Sequence, residues 1–268
     1  MATTRRLFII ATIILACAAV ALTVTSLVTS FWVVATLSDP DGAFEPSDIN
    51  YGLFVGHMVG TRAGIVNMNL SMSCLFSENV CLMSCQTEDT AREEELENLV
   101  HGSVDFVCPN VDGTANNTNS SEKKFINAGI WVSSVLFLAV ELLAGVLAAV
   151  FAVINATTNP TEPIVGVLGL YVWNGIAVGC TLLVMILWGS QFAATLSDNI
   201  AYSETITGIF SSQGQASLGV SYWLLLIVLF LHIANLTLLG VREYLLSREP
   251  PPPTIKMEEN TDGVIFLY

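Results

Sequence analysis

The residues best suited to do chemistry fall into two groups. Cys74, Cys81, Cys85 and Cys108 share one polar stretch, while Cys17 and Cys180 stand among apolar neighbours as small packing groups. Four thiols can hold zinc or oxidise to disulfides. The Cys81/Cys85 spacing is tolerable for zinc, but an even number of cysteines in an oxidising compartment points to two disulfides, with three pairings open. The second group, Glu141, Asn174 and His232, lies inside otherwise apolar runs. A carboxylate in hydrocarbon costs at least about 2.5–3.5 kcal/mol, so Glu141 must be protonated, pair with Asn174 or His232, or line a polar path. One acid without a partner base makes a poor proton relay. A structural hydrogen bond between helices, of about 0.6–2 kcal/mol, is the favoured reading, with His232 and Asn235 as satisfied core polars.

No G-x-S-x-G, H-E-x-x-H, P-loop or dinucleotide fingerprint occurs, and three scattered histidines do not build a metal centre. The sequence is therefore expected to encode no enzyme and to take no metal or cofactor. A formal charge of −14 argues against nucleic-acid partners, because neutralising phosphates needs basic residues.

The elements that must hold these groups are set by composition. Of 268 residues 53% are hydrophobic and 12% charged, about half the usual charged share of a soluble domain. Much of the surface must face lipid. A bilayer core about 30 Å thick takes about 20 apolar residues of helix. Four windows qualify: residues 7–34, 128–154, 164–190 and 218–241. The first has a rival reading as a cleavable signal peptide, since Arg5 and Arg6 precede it and small residues follow at 16–18, but apolarity runs on to Val34.

Arg5, Arg6, Arg242 and Arg248 flank the first and fourth spans and place both termini in the cytosol; Lys123 and Lys124 vote the other way from within a long loop, where charge matters little. The expected layout is a cytosolic N-terminus at 1–6, a first outer loop at 35–127, a short cytosolic turn at 155–163, a second outer loop at 191–217 and a cytosolic tail at 242–268. The first outer loop carries 14 acidic and 4 basic residues. It reads as a solvated, repulsive surface, with a cation-attracting face at an intercellular gap as the sharper alternative. Pieces 32–37, 51–59 and 64–70 are β-branched and aromatic and predict a small antiparallel sheet. Residues 87–99 predict a short helix capped by Thr87 or Thr90. The second outer loop reads as polar.

Five N-x-S/T sequons are present; Asn69, Asn116 and Asn119 lie in the outer loop and are accessible, whereas Asn155 and Asn235 should remain bare. Gly175/Gly179, Ala144/Ala148 and Gly145/Ala149 form small-xxx-small faces, read as packing within the bundle, with homo-oligomerisation as the alternative. Prolines 250–253 read as a spacer rather than an SH3 ligand. Phe266, Leu267 and Tyr268 end the chain as a PDZ domain would capture it, by strand addition around a free carboxylate.

Several stretches resemble the clarins: Tyr51-Gly52-Leu53-Phe54-Val55-Gly56; the run from Gly166 through Tyr171 and from Gly179 to Leu187; residues 196–201; Tyr222-Trp223; Phe230-Leu231-His232; and the aromatic end at 266–268. The wider claudin-like W-GLW-C-C pattern is met in part, with Phe54 in place of the second Trp and four loop cysteines instead of two. A longer, more acidic loop marks a divergent or invertebrate member. The resemblance implies an all-α membrane protein, a four-helix bundle with a small extracellular antiparallel sheet built mainly by the first outer loop. It further implies a non-enzymatic plasma-membrane organiser of membrane and cytoskeletal complexes in sensory or epithelial cells, with roles in hair bundles, synapses, adhesion and actin organisation. Expected partners are the bilayer, membrane or scaffold proteins and, as alternatives, a junctional neighbour or an ion channel that the chain serves as an auxiliary subunit.

Overall fold

In a computed structural model, residues 2–39, 45–61, 65–102, 124–157, 166–248 and the pairs 258–259 and 265–266 are described. The chain opens with α1 (Ala2–Val28), which feeds β1 (Val33–Leu37), β2 (Ser47–Tyr51), β3 (Val55–Thr61), β4 (Ile65–Leu75) and β5 (Val80–Ser84). Helix α2 (Asp89–His101), β6 (Ile126–Asn127), α3 (Ala128–Thr157) and α4 (Val167–Gln191) follow. A π-helical stretch (Phe192–Leu196), α5 (Ser203–Ile206), β7 (Ala216–Leu218) and α6 (Val220–Ser247) complete the body, and β8 (Glu258–Glu259) pairs with β9 (Ile265–Phe266).

Among the described residues, four helices are long and apolar enough to cross a membrane: α1 from Leu7, α3, α4 with its π-helical extension, and α6. They close a ring in which α1 packs on α3 and α6, and α4 packs on α3 and α6. The side-chain distribution is inverted relative to a water-soluble bundle. Leu136, Leu143, Ile186 and Phe230 point outward, more than half exposed, while Ala16, Ala19, Ser134, Ala144, Gly145, Ala177 and Thr181 are buried between the helices. Small residues inside allow close backbone approach, and the large apolar ones meet acyl chains.

A seven-stranded antiparallel sheet in the order β6-β5-β4-β3-β2-β1-β7 curls over one end of this ring. The strands expected at 32–37 and 64–70 match β1 and the start of β4, whereas 51–59 divides into β2 and β3 at the Gly52-Leu53-Phe54 turn. The first span is shorter than expected. Helix α1 ends at Val28 because Trp32 and Val33, apolar enough to pass for lipid-facing residues, are instead fully buried under the sheet, and Val33–Leu37 pairs with both β2 and β7. The expected caps of α2 are also corrected. Its N-cap is Glu88, with no side-chain cap, and Arg92 holds the entry by donating to the Gln86 and Thr87 carbonyls and pairing with Asp89.

The second loop, expected to be a polar connection, supplies core. Leu196, Ile200, Ala201, Tyr202 and Phe210 pack with Trp32, Leu37, Ile49, Tyr51, Leu70 and Met83 in the hollow of the sheet. Two close approaches fix the joints. A Cβ on Gly52 would lie 2.4 Å from the Thr29 carbonyl oxygen, and one on Gly219 only 2.2 Å from that of Phe31. Only glycine fits where the sheet lies against the helix ends.

Candidate functional site

Four polar residues of the spans meet at one place in the bundle. Glu141 on α3, Asn174 on α4, and His232 and Asn235 on α6 are all buried. The Asn174 amide nitrogen donates to the Leu170 carbonyl at 2.8 Å, and its oxygen lies 3.2 Å from the Asn235 amide nitrogen and 3.0 Å from His232 Nδ1. His232 Nε2 faces Glu141 Oε1 at 3.2 Å. The imidazole thus bridges α3 and α4. Gly145, one turn along α3 from Glu141, makes room for it, since a Cβ there would sit 3.7 Å from His232 Cε1 and 3.1 Å from Val20 of α1. Glu141 Oε2 and Asn235 Oδ1 are buried without a hydrogen-bond partner. No three His, Cys, Asp or Glu side chains gather as a metal site among the described residues.

A second cluster joins bundle to sheet, and its key residue escaped the sequence reading. Trp32 is fully buried, donates its indole N–H to the Ser26 carbonyl at 2.7 Å, and meets Trp188 of α4 and Tyr222 of α6 edge to face at 5.4 and 6.3 Å. Such edge-to-face pairs add about 0.5–1.5 kcal/mol beyond burial. Three chain segments are knitted at the point where α1 hands over to β1. Below the β2–β3 turn, an apolar groove of about 440 Å³ opens between α1 and α3, lined by Leu27, Phe54, Val55, Val135 and Ala139.

The acidic run of α2 divides by burial. Glu93, Glu94 and Glu97 face solvent, but Glu95 is fully buried where α2 docks through Leu96 and Leu99 on Leu82 and Ile206. Burial pushes the Glu95 carboxyl above the usual carboxylate range, and hydrogen bonds from Ser84 and Ser203 pull it back in part. Tyr51, also fully buried, has its phenol pushed up by desolvation and donates to the Ile200 carbonyl at 2.8 Å.

Of the four loop cysteines, Cys74 and Cys81 are bonded to each other across β4 and β5. Cys85 is held in a disulfide as well, while Cys108 lies outside the described residues. The bonded hairpin ends at Asn79, a left-handed residue whose side chain and carbonyl accept the Gly129 and Ala128 amides, so the turn caps α3. Asn69 is exposed on β4 opposite His57, and Asn116 and Asn119 lie outside the described residues. Lys124 pairs with Asp198 at 2.6 Å, tying the approach to β6 to the second loop.

Gly175 and Gly179 correct the packing reading. A Cβ on either would meet nothing within 4 Å, because α4 turns Asn174, Ala177, Cys180 and Thr181 inward instead. Gly145 does pack, and Ala149 is half-buried beside the buried Ala148. Phe266 belongs to β9, whereas Leu267, Tyr268 and prolines 250–253 lie outside the described residues.

No protein-family model matches the chain. It is 31% identical to clarin-3 of Mus musculus over 153 residues, covering 55% of this chain and 64% of that protein. It is 30% identical to clarin-3 of Homo sapiens over 125 residues, 45% of this chain and 51% of that one. Identity to clarin-1 of Homo sapiens is 32% over 113 residues, 42% and 48% of the two chains. The chain thus spans about half to two thirds of the length of the relatives it matches. With four helices long and apolar enough to span a membrane under a curled antiparallel sheet, and this likeness in sequence, the chain is a clarin-like tetraspan, similar to the clarins over part of their length.

Proposed function

We propose that the protein is a non-enzymatic organiser in the plasma membrane, which holds an outward-facing sheet for lateral or adhesive partners and a cytosolic tail for a scaffold. The observation that carries this reading is the direct fusion of sheet to spans. Helix α1 runs into β1, β6 into α3 and β7 into α6, so the sheet is fixed to the bundle rather than tethered to it. The Cys74–Cys81 disulfide supports an oxidising environment at that end. Arg242 and Arg248, at the far end of α6, support cytosolic termini. The expression of adhesive and actin-linked roles in sensory or epithelial cells rests on the likeness to the clarins.

Cell-surface proximity labelling of the full chain is the direct test. Membrane or adhesion proteins should be enriched outside and a scaffold with PDZ domains inside, with the scaffold lost on removing Tyr268. A scaffold signal unchanged by that deletion overturns the tail assignment, and a neighbourhood no richer than that of an unrelated tetraspan overturns the organiser.

One observation favours a junctional alternative. Exposed Glu93, Glu94 and Glu97 put an acidic face on α2, which suits a cation-attracting surface between cells. In an epithelial monolayer that reading requires a fall in paracellular resistance to cations, reversed by Glu→Gln changes at these three positions.

A further inference from the structure

We infer that Glu141 and His232 form a one-proton site inside the membrane, in which a neutral carboxylic acid on α3 donates to a neutral imidazole whose hydrogen sits on Nδ1. The assignment follows from counting donors. The Leu170 carbonyl can only accept, so the Asn174 amide nitrogen must point at it and the Asn174 oxygen must point at α6. That oxygen cannot donate. The Asn235 amide and His232 Nδ1 therefore both donate to it, which fixes the tautomer of the ring.

Nε2 is left facing Glu141 Oε1. With no proton between them, a lone pair would oppose a carboxylate and a net negative charge would be buried in lipid. With two, the site would carry a net positive charge. One proton leaves it neutral overall. Between the two one-proton arrangements, acid with imidazole avoids the charge separation that hydrocarbon surroundings penalise, and among the described residues no side chain or backbone group donates to Glu141 Oε2 to help hold a carboxylate. The groups facing the pair are Cys180 from α4, which lies within electrostatic reach of Glu141, Asn174 from α4, Asn235 from α6 and, across Gly145, the apolar Val20 of α1. None of them supplies a compensating charge.

The bound ligand is thus a single proton, and its hydrogen bond links α3 to α6, which Asn174 links to α4. Removing it would set Glu141 against the ring nitrogen and push those helices apart.

The test uses the full chain in lipid nanodiscs with ¹⁵N-labelled histidine, the His232 signals being assigned with His232→Gln. At neutral pH the ring should be neutral, with hydrogen on Nδ1 and a bare, hydrogen-bonded Nε2. A ring protonated on both nitrogens, or one with its hydrogen on Nε2, overturns the inference. Independently, an infrared difference between the wild type and Glu141→Gln should show a carboxylic-acid C=O band lost in the variant; a carboxylate band lost instead overturns it. Glu95→Gln and Glu204→Gln must each retain the Glu141 band, which separates it from the other two acids buried among the described residues. Glu141→Gln should melt close to the wild type, since its amide N–H donates in place of the acid proton, whereas Glu141→Ala should melt clearly lower; equal losses in both overturn the donor assignment.

Discussion

Two single residues decide how tightly the sheet end is held. Glu95 carries a carboxyl raised by burial, so the folded protein retains a proton that an unfolded chain releases near the ordinary carboxyl value of about 4.3. The stability it lends is complete below that value and is lost as pH rises through the raised one. Amide protection of α2 should fall over that interval in the wild type and stay flat in Glu95→Gln, as hydrogen exchange at a series of pH values would show. Trp32 is the second. Trp32→Ala should lower stability in detergent by about 3–5 kcal/mol by emptying a large buried volume, and Trp32→Phe by about 1–3 kcal/mol through loss of the indole donor, which leaves the Ser26 carbonyl only the long contact from the Thr29 hydroxyl; thermal melts distinguish the two. Trp32 was expected at the head of a strand, but neither its burial nor that of Glu95 was legible beforehand. Trp32 follows a run of apolar residues that reads equally well as more lipid-facing helix, and Glu95 sits between acids that face water, with only the inward stripe of Leu96 and Leu99 to mark it.

At the level of elements, the β4–β5 hairpin does more than pair strands, because its Asn79 turn caps α3. Replacing Cys74 and Cys81 with Ser removes a short closed loop worth roughly 2–3 kcal/mol. Hydrogen exchange should then quicken both at β5 and in the first turn of α3, and a change confined to the hairpin would sever that link. Helix faces give a sharper contrast. Gly145→Leu should collapse the α1–α3–α6 contact, while Gly175→Leu should change thermal stability by no more than about 0.5 kcal/mol, as for any surface site. A small-xxx-small spacing tells which residues share a face but not which way the face points, and that is why Gly145 and Gly175 read alike in the sequence and behave differently in the fold. The helices themselves were legible, since some twenty apolar residues without a break admit few other readings. The second loop was not. Phe192, Tyr202 and Phe210 are its aromatic signals among scattered aliphatics, and the burial of Tyr202 and Phe210 depends on a sheet contributed by a distant part of the chain.

For the whole molecule, orientation is the claim most open to test. Epitope tags at Met1 and Tyr268 should both stay hidden from antibody on intact cells and appear on permeabilisation, and a glycan should shift the mass of the wild type but not of a chain lacking the Asn69, Asn116 and Asn119 sequons. The order in which the sheet is assembled carries a consequence for biosynthesis. Strand β1 is made directly after the first helix, yet its outer edge is covered only by β7, more than two thirds of the way along the chain. Until the ribosome has delivered that late segment, β1 offers a row of unsatisfied backbone amides and carbonyls to any passing strand. Chains truncated ahead of Ala216 should therefore be retained by chaperones of the secretory pathway, however well α1, α3 and α4 have inserted.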